Sequence, residues 1–418
     1  MLETLIILTA VALFGVLTFS KVFRTSQWAA TVTPLASIMG SGFLISAPLL
    51  AGVVGNYSPL VMGGLLITAW FLGGAVRFNI ANAEPLVESE SGSSEHKSHN
   101  GHAEISRLPL NGIEKLSHLI LAFAYFISVT YYIQLLCKFS LHSLGIESMV
   151  TARVLGTVLL SSISVVGFLF GLKIIEKVED YAIDLNLSMI GALLVGLVGH
   201  NLQLWQTGQW NLPALASGPS TWDAIRICMG LLVVVQGFET SRFLGAEHSA
   251  EQRITTMRWA QGIASAIYLV FLTLMLVVNT PEQAGKDADV TAIITLAGTV
   301  AAVLPIMLTI AAVGSQFSAA VADEAGCGGL LSNLAGRWLN SRTAYLAIGG
   351  ITVVLMWSVD VKQIISLASR AFALFYCLQC VVASIIAWSE KKDTPRALWY
   401  GMLALTCLLI TVLGESAE

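Results

Sequence analysis

The chain has 418 residues, of which 56% are hydrophobic and 11% charged, and its mean hydropathy is +0.77. A soluble domain carries about 25% charged residues, so this composition excludes an ordinary soluble protein and predicts a polytopic α-helical membrane protein in contact with the lipid bilayer. The net charge of −4 gives no basic surface of the kind that binds nucleic acid, and none is expected as a partner.

Twelve apolar runs follow one another along the chain, and a helix needs about 20 apolar residues to cross a bilayer. The runs span residues 3–20, 30–54, 58–82, 117–139, 152–172, 181–203, 222–243, 258–280, 289–322, 343–358, 362–388 and 396–414. The first run is preceded by Glu3 and by no Lys or Arg, unlike a secretory signal. We therefore expect 12 transmembrane helices, the first of them an extra leading helix within residues 1–24.

The basic residues predict how the chain is oriented, because cytoplasmic loops are enriched in Lys and Arg. If the loop that holds Lys21 and Arg24 is cytoplasmic, alternation of the runs puts most of the 22 basic residues on the inner side. The six exceptions are Lys138, Arg153, Arg226, Lys286, Lys362 and Arg370. This bias predicts a multi-pass protein of a bacterial inner (plasma) membrane with both termini outside.

The second run contains a candidate break at Ile38-Met39-Gly40-Ser41-Gly42-Phe43. Two glycines and a serine weaken a helix, and a break exposes backbone N–H and C=O groups at membrane depth. Such backbone is tolerated only where it is buried in protein or lines a cavity, which makes it a pointer to a transporter binding site. The alternative is a patch of small residues at which two intact helices pack closely.

A second candidate break lies at Gln236-Gly237-Phe238-Glu239 in the run 222–243. Counting runs makes this helix antiparallel to the run 30–54, with five runs between their starting points. That arrangement is expected of two five-helix repeats with inverted topology, each with a broken first helix. We therefore expect repeats at 28–203, which contains a cytoplasmic loop at 83–116, and 204–389, then a final helix and tail at 390–418.

Several motifs together resemble the amino acid–polyamine–organocation (APC) superfamily of secondary transporters. Gly40-Ser41-Gly42-Phe43 is similar to the family's first-helix motif, and Gly237-Phe238-Glu239 with Gly245-Ala246-Glu247 and Arg253 is similar to its sixth helix and the loop that follows. Gly171-Leu172-Lys173 through Asn186 resembles the loop between its helices four and five, and Ser315 to Gly326 resembles the inner end of its eighth helix. The chain departs from the pattern at His248, which stands where a second acid is usual.

The resemblance implies a LeuT-like fold, with a symporter or exchanger that carries an amino acid or related small organic solute by alternating access. Opposed breaks offer free N–H groups to a carboxylate and free carbonyls to an ammonium, which agrees with such a substrate. The expected substrate-binding residues are Met39, Gly40, Ser41, Gly42, Phe43, Gln236, Gly237 and Phe238.

The resemblance also implies candidate residues for coupling or gating. Glu239 matches an acid linked to substrate sensing or gating, although an ion pair with Arg242 is an alternative. Ser315 and Ser318 match the hydroxyls of sodium-driven relatives, whereas Asn186, two residues after Asp184, stands near a lysine position of proton-driven ones. Sodium, a proton and exchange therefore all stay open.

Other functions have less support in the sequence. No ATP-binding motif occurs, and no cofactor or metal is expected; the only expected protein partner is a second copy, so the protein is expected to be a monomer or a homodimer. The alternatives are an ion transporter on the same fold and a membrane-embedded sensor, and a membrane enzyme would need clustered His, Cys or acids. His96, His99 and His102 allow a metal-binding loop, although a solvated linker is the simpler interpretation. Cys377 and Cys380 are expected to be packing residues.

Overall fold

The structure, a computed structural model, is built of helices and describes most of the chain. Described are residues 1–40, 42–86, 101–171, 173–212, 219–245, 248–278, 291–335 and 340–415, with the backbone alone at 101–111, 173–180, 333 and 341. Ser41, His96 and His99 therefore lie outside what is described, whereas His102 lies in the part of α5 of which the backbone alone is described. The helices are α1 (Leu2–Phe19), α2 (Ser26–Gly40), α3 (Phe43–Val54), α4 (Ser58–Asn82), α5 (Gly101–Ser143), α6 (Met149–Phe170), α7 (Lys173–Gln206), α8 (Thr221–Met229), α9 (Ala250–Met275), α10 (Ala292–Val300), α11 (Leu304–Ala335), α12 (Ser341–Ser358), α13 (Val361–Ser389) and α14 (Thr394–Leu413).

Nine helical stretches in the described parts of the chain are long and apolar enough to cross a bilayer. One of them, Ser26–Leu86, contains α2, α3 and α4, so it holds more than one crossing. The shorter α12 and the interrupted segment after α8 are not among the nine. The prediction of a polytopic, all-helical membrane protein is confirmed, while the count of twelve crossings stays a prediction.

The run 289–322 differs from its prediction as one helix. Helix α10 ends at Val300, Ala301 is extended (φ −159°, ψ 140°), and α11 begins at Leu304 with Pro305 at its second position. Proline has no N–H to donate and clashes with the preceding turn, so it is tolerated at the start of a helix rather than inside one. Pro305 therefore explains why a second helix begins here.

Helix α5 lies at the centre of the bundle and packs against α11 and α13. Helix α1 is peripheral: only 17% of it is buried, and it runs along α7. Leu13 of α1 meets Gly191 of α7, and Ile6 meets Gly196, so the two helices are antiparallel and the glycines allow them to approach closely. The leading helix is thus an addition to the outside of the core.

The bundle end at which α4 finishes and α9 begins is called the arginine end below. It contains the 3₁₀ segment Phe238–Leu244 and four buried or partly buried charged residues, Glu84, Glu114, Arg242 and Arg253. The interrupted segments lie farther inside the bundle.

Candidate functional site

The first interruption separates α2 from α3. Helix α2 ends at Gly40 and α3 begins at Phe43, as the glycines predict. The carbonyl of Gly40 has left the helical ladder and accepts a hydrogen bond from Gln316 Nε2 of α11 at 2.9 Å. A Cβ added at Gly40 would lie 2.9 Å from the Cβ of Ala319, so α11 packs directly on the end of α2. A glycine is needed here because of this close approach.

The second interruption is longer. Helix α8 has nine residues and ends at Met229, and a 3₁₀ turn, Leu232–Val235, leads to an extended Gln236. Ser369 of α13 satisfies two of the backbone groups that are freed, because its hydroxyl donates to the carbonyl of Gly230 (2.6 Å) and accepts from the N–H of Val233 (2.9 Å). Irregular backbone at membrane depth therefore has partners in the protein, as it must where water is excluded.

The two interruptions lie against each other, and each rests on the other through a glycine. Gly237 adopts φ 116°, and a Cβ there would lie 2.6 Å from Ser37 Oγ and 2.7 Å from the amide nitrogen of Ile38. A Cβ on Gly42 would lie 2.9 Å from a methyl group of Val234. No residue with a side chain fits either position without moving the other segment, so the glycines set how closely the segments approach.

Tyr268 of α9 holds the two segments together. Its phenolic oxygen lies 2.6 Å from the carbonyl oxygen of Val234 and 3.1 Å from that of Ile38. A phenol has one hydrogen, so the two carbonyls share a single donor, with Val234 closer to it. The ring stands edge-on to Phe43, with the centroids 5.4 Å apart.

Glu239 lies directly behind the second interruption and is fully buried. Its Oε2 accepts hydrogen bonds from the N–H of Gly237 (2.9 Å) and from the hydroxyl of Tyr376 (2.5 Å), and Tyr376 also stacks on Phe238. Its Oε1 has no hydrogen-bond partner in the part of the chain that the structure describes. The alternative of an ion pair with Arg242 is wrong, since Arg242 binds other carboxylates.

Arg242 belongs instead to a group of charged and polar residues that we call the arginine cluster. Its members are Arg242, Arg253, Glu84, Glu114 and Gln379. Arg242 Nη2 lies 3.0 Å from Glu114 Oε1. Arg253 binds both carboxylate oxygens of Glu84, with Nη2 2.7 Å from Oε2 and Nη1 3.1 Å from Oε1. Arg253 also donates to the carbonyl of Arg242 (2.7 Å), and Gln379 accepts from Arg242. The cluster ties α5, α9, α13 and the turn after α4 to the 3₁₀ segment after the second interruption.

The predicted site residues that are described have no access to solvent. Met39, Phe43, Gln236 and Phe238 are each 1–2% exposed, and the adjacent Ile38 is 2% exposed. Gln236 Nε2 donates to the hydroxyl of Tyr132 on α5 at 3.2 Å. The structure therefore shows the interruptions closed to both ends of the bundle.

The proposed coupling residues occupy two regions. Ser315 lies beside Gly40, with its hydroxyl 3.4 Å from where a Cβ would be, and the hydroxyl of the buried Ser318 has no hydrogen-bond partner among the described residues. Asp184 instead accepts a hydrogen bond from Thr18 of the peripheral α1 at 3.1 Å. Asn186, two residues on, is 5% exposed. Asp184 thus contacts the leading helix, whereas the two serines follow α11 past the first interruption.

Sequence reasoning missed Tyr268, Tyr376, Gln316 and Ser369. Each is a polar residue inside an apolar run, and such a residue is as common in ordinary packing as in a site. The signal that could have found Gln316 is its position next to Ser315, in the motif that resembles the eighth helix of the family.

Comparison with known proteins identifies the family to which the chain belongs. A family model described as "APC superfamily transporter" matches residues 20–414. A protein of Aquifex aeolicus (strain VF5), described as uncharacterized, is 38% identical over 397 residues, which cover 94% of this chain and 92% of that one. The match to the family model begins at residue 20, just after α1, which agrees with the peripheral position of that helix. The chain belongs to the APC superfamily of transporters, and is therefore a multi-pass membrane transporter rather than an enzyme.

Proposed function

We propose that this protein is a secondary active transporter, a symporter or an exchanger, that moves an amino acid or a related small organic solute by alternating access. The observation that supports this most is the crossing of the two interrupted segments. Gly237 of one segment packs on Ser37 and Ile38 of the other, and Gly42 packs on Val234. Backbone polar groups from both segments thus meet at one buried point in the membrane-spanning bundle.

The chemistry of that point fits a zwitterion. The amino end of α3, which begins at Phe43, has N–H groups without partners inside the helix and a partial positive charge, so it suits a carboxylate. The carboxyl end of α2 presents the carbonyls of Ile38 to Gly40, which suit an ammonium group. In the closed structure Tyr268 and Gln316 bind two of these carbonyls, and a substrate would share or replace those hydrogen bonds.

Two further features of the fold belong to the proposal. The two interrupted segments are taken as the first and sixth core helices of a five-plus-five inverted repeat, to which α1 and α14 are additions. The excess of basic residues supports an orientation with the arginine end in the cytoplasm and both termini outside a bacterial plasma membrane. With this orientation the arginine cluster is the barrier between the site and the cytoplasm.

The coupling ion has two candidate sites. Glu239 is buried beside the second interruption and would carry a proton, while Ser315 and Ser318 would bind sodium together with carbonyls of the first interruption. Asp184 and Asn186 lie on α7, and Asp184 contacts α1, which makes a direct part in coupling the weaker proposal for them.

The test is uptake by proteoliposomes of radiolabelled amino acids and amines, with sodium and proton gradients applied separately. Gly237→Ala should abolish saturable binding and uptake, because a side chain at φ 116° is strained by about 1–3 kcal/mol and its Cβ overlaps Ser37 and Ile38. The matched control is Gly262→Ala on α9, where an added Cβ meets nothing within 4 Å. Uptake of none of the compounds by the wild type would refute the substrate class.

The same experiment separates the two rival functions. Uptake of divalent or monovalent metal ions without any organic solute would identify an ion transporter on this fold. Saturable binding of a solute without any uptake would instead favour a sensor. Wild-type uptake by Gly237→Ala would show that the crossing is not the binding site, even if the protein is a transporter.

A further inference from the structure

Helix α11 carries a buried carboxyl group that neither the two interruptions nor the arginine cluster uses. Glu324 is 0% exposed, and it lies two turns beyond Gln316, which binds the first interruption. Its Oε1 accepts a hydrogen bond from the hydroxyl of Ser164 on α6 at 2.8 Å. Its Oε2 has no hydrogen-bond partner among the residues that the structure describes.

Glu324 differs from the carboxylates of the arginine cluster in what surrounds it. Glu84 and Glu114 each lie within 3.0 Å of an arginine nitrogen, whereas no ion pair of Glu324 occurs in the described structure. An ionised carboxylate buried without a cation or enough donors is costly, and the usual remedy is that the group takes up a proton.

The neighbouring titratable groups offer no compensating charge. On α11 itself these are Asp323, which accepts a hydrogen bond from Ser128 of α5, and the buried Cys327. Tyr125 of α5 and Tyr345 of α12 pack on the same stretch of α11, through Gly326 and Gly328. The described part of α7 contributes Tyr181, Asp184, which accepts a hydrogen bond from Thr18 of α1, and His200. Arg153 of α6 lies over the ring of Trp357, Arg342 of α12 is exposed, and α2 and α10 have no titratable side chain. The described surroundings are therefore acidic or neutral.

We propose that Glu324 is a proton-binding site, occupied at neutral pH and able to release its proton in the folded protein. A hydronium ion of the solvent gives up the proton and is left as water, and the proton forms an O–H bond at Oε2 while Oε1 keeps the hydrogen bond from Ser164. Release would put a negative charge between α6 and α11 that has no cation beside it among the described residues. Since α11 also holds Gly40 through Gln316 and Ala319, the charge acts on the helix that packs on the first interruption. The proton site itself does not depend on the proposed function.

Infrared spectroscopy of the purified protein in lipid bilayers tests this without a substrate. At neutral pH the C=O stretching band of protonated carboxylic acids should be weaker in Glu324→Gln than in the wild type, by the amount expected for one carboxyl group. The band should also fall in the wild type as pH is raised. The matched control is the exposed Glu251, whose change to Gln should leave the band unchanged.

A second variant keeps the test decisive if Glu324→Gln does not fold. Ser164→Ala removes the donor to Oε1 and keeps Glu324, so the same band should shift to higher frequency without loss. An unchanged spectrum in both variants, or in Ser164→Ala alone if only that one folds, would show that Glu324 is ionised and would overturn the proposal. Loss of the band when sodium replaces potassium at constant pH would assign the site to sodium instead.

Discussion

Tyr268 offers the sharpest test of how the two interrupted segments are held together. Replacing it with phenylalanine removes one oxygen and keeps the ring that packs against Phe43 and, through Phe43, on Phe271. The change therefore leaves the shape of the core and takes away the donor shared by the carbonyls of Val234 and Ile38. Both carbonyls belong to residues that are at most 2% exposed, so water cannot replace the phenol in the closed structure.

The stability lost in Tyr268→Phe follows from the single phenolic hydrogen that the two carbonyls share. Taking a hydrogen-bond donor away from a buried carbonyl costs about 1–3 kcal/mol. Because the phenol supplies one hydrogen, the loss corresponds to one such bond, mainly that to Val234 at 2.6 Å, rather than to two. A loss of this size changes an equilibrium constant by about 5- to 150-fold, since 1.4 kcal/mol is a factor of ten.

Reversible unfolding in mixed micelles, followed by the near-UV signal of aromatic residues, measures this loss as a free energy of unfolding. Tyr181→Phe is the matched control, because the same oxygen is removed from a side chain that is 57% exposed. We expect Tyr268→Phe to lose about 1–3 kcal/mol relative to that control and to show weaker solute binding. Equal stability and equal binding in the two variants would refute the bridging role of Tyr268.

Three further predictions concern the groups around the crossing. Glu239→Gln should express and fold but lose coupled uptake, as measured in proteoliposomes against Gly262→Ala; uptake like that of the wild type would remove Glu239 from the mechanism. Arg242→Gln should lower the free energy of unfolding by about 3–5 kcal/mol because it leaves Glu114 buried without an arginine, with only His118 at 3.7 Å as a basic neighbour, whereas Arg396→Gln, which breaks an exposed pair, should cost at most about 1 kcal/mol. Gln316→Leu should leave the carbonyl of Gly40 without its donor and cost about 1–3 kcal/mol in the same unfolding assay; a value within error of Arg396→Gln would show that this hydrogen bond does not hold the interruption.

The positions of both interruptions could be predicted from the sequence because glycine is a local signal for a helix break. Gly40, Gly42 and Gly237 stand inside apolar runs where a helix would otherwise continue. Because such glycines occur in two antiparallel runs, the second run supported the prediction made from the first. The close approach itself could not be read from the sequence. It depends on Val234 and Ser37 being opposite those glycines, which is a property of how the segments cross.

Contacts between residues far apart in the chain could not be predicted either, because they also depend on how the segments cross. Arg242 has Glu239 three residues before it, so an i,i+3 pair was a natural hypothesis, yet its carboxylates come from Glu84 and Glu114. The 3₁₀ geometry of Phe238–Leu244 and the folding back of α4 and α5 decide that outcome. Tyr268 gave no local signal, and Glu324 gave only its place in the motif from Ser315 to Gly326, because the importance of both lies in which atoms they meet.

The buried carboxylates of the arginine cluster and the pair Glu239 and Glu324 are two kinds of buried acid, which differ in the partner that compensates the charge. In the arginine cluster a single substitution is costly because one charge stays buried without its partner. Opening of the arginine end, which the proposed mechanism requires, is different, since water would then reach both members of each pair and replace the lost contacts. The pairs between Arg253 and Glu84 and between Arg242 and Glu114 can therefore stabilise the closed form without preventing its opening. Glu239 and Glu324 have hydroxyl groups rather than cations as their described side-chain partners, so a proton can change their charge while the protein stays closed. We infer that the first kind holds one end shut, whereas the second kind lets the interruptions respond to a proton.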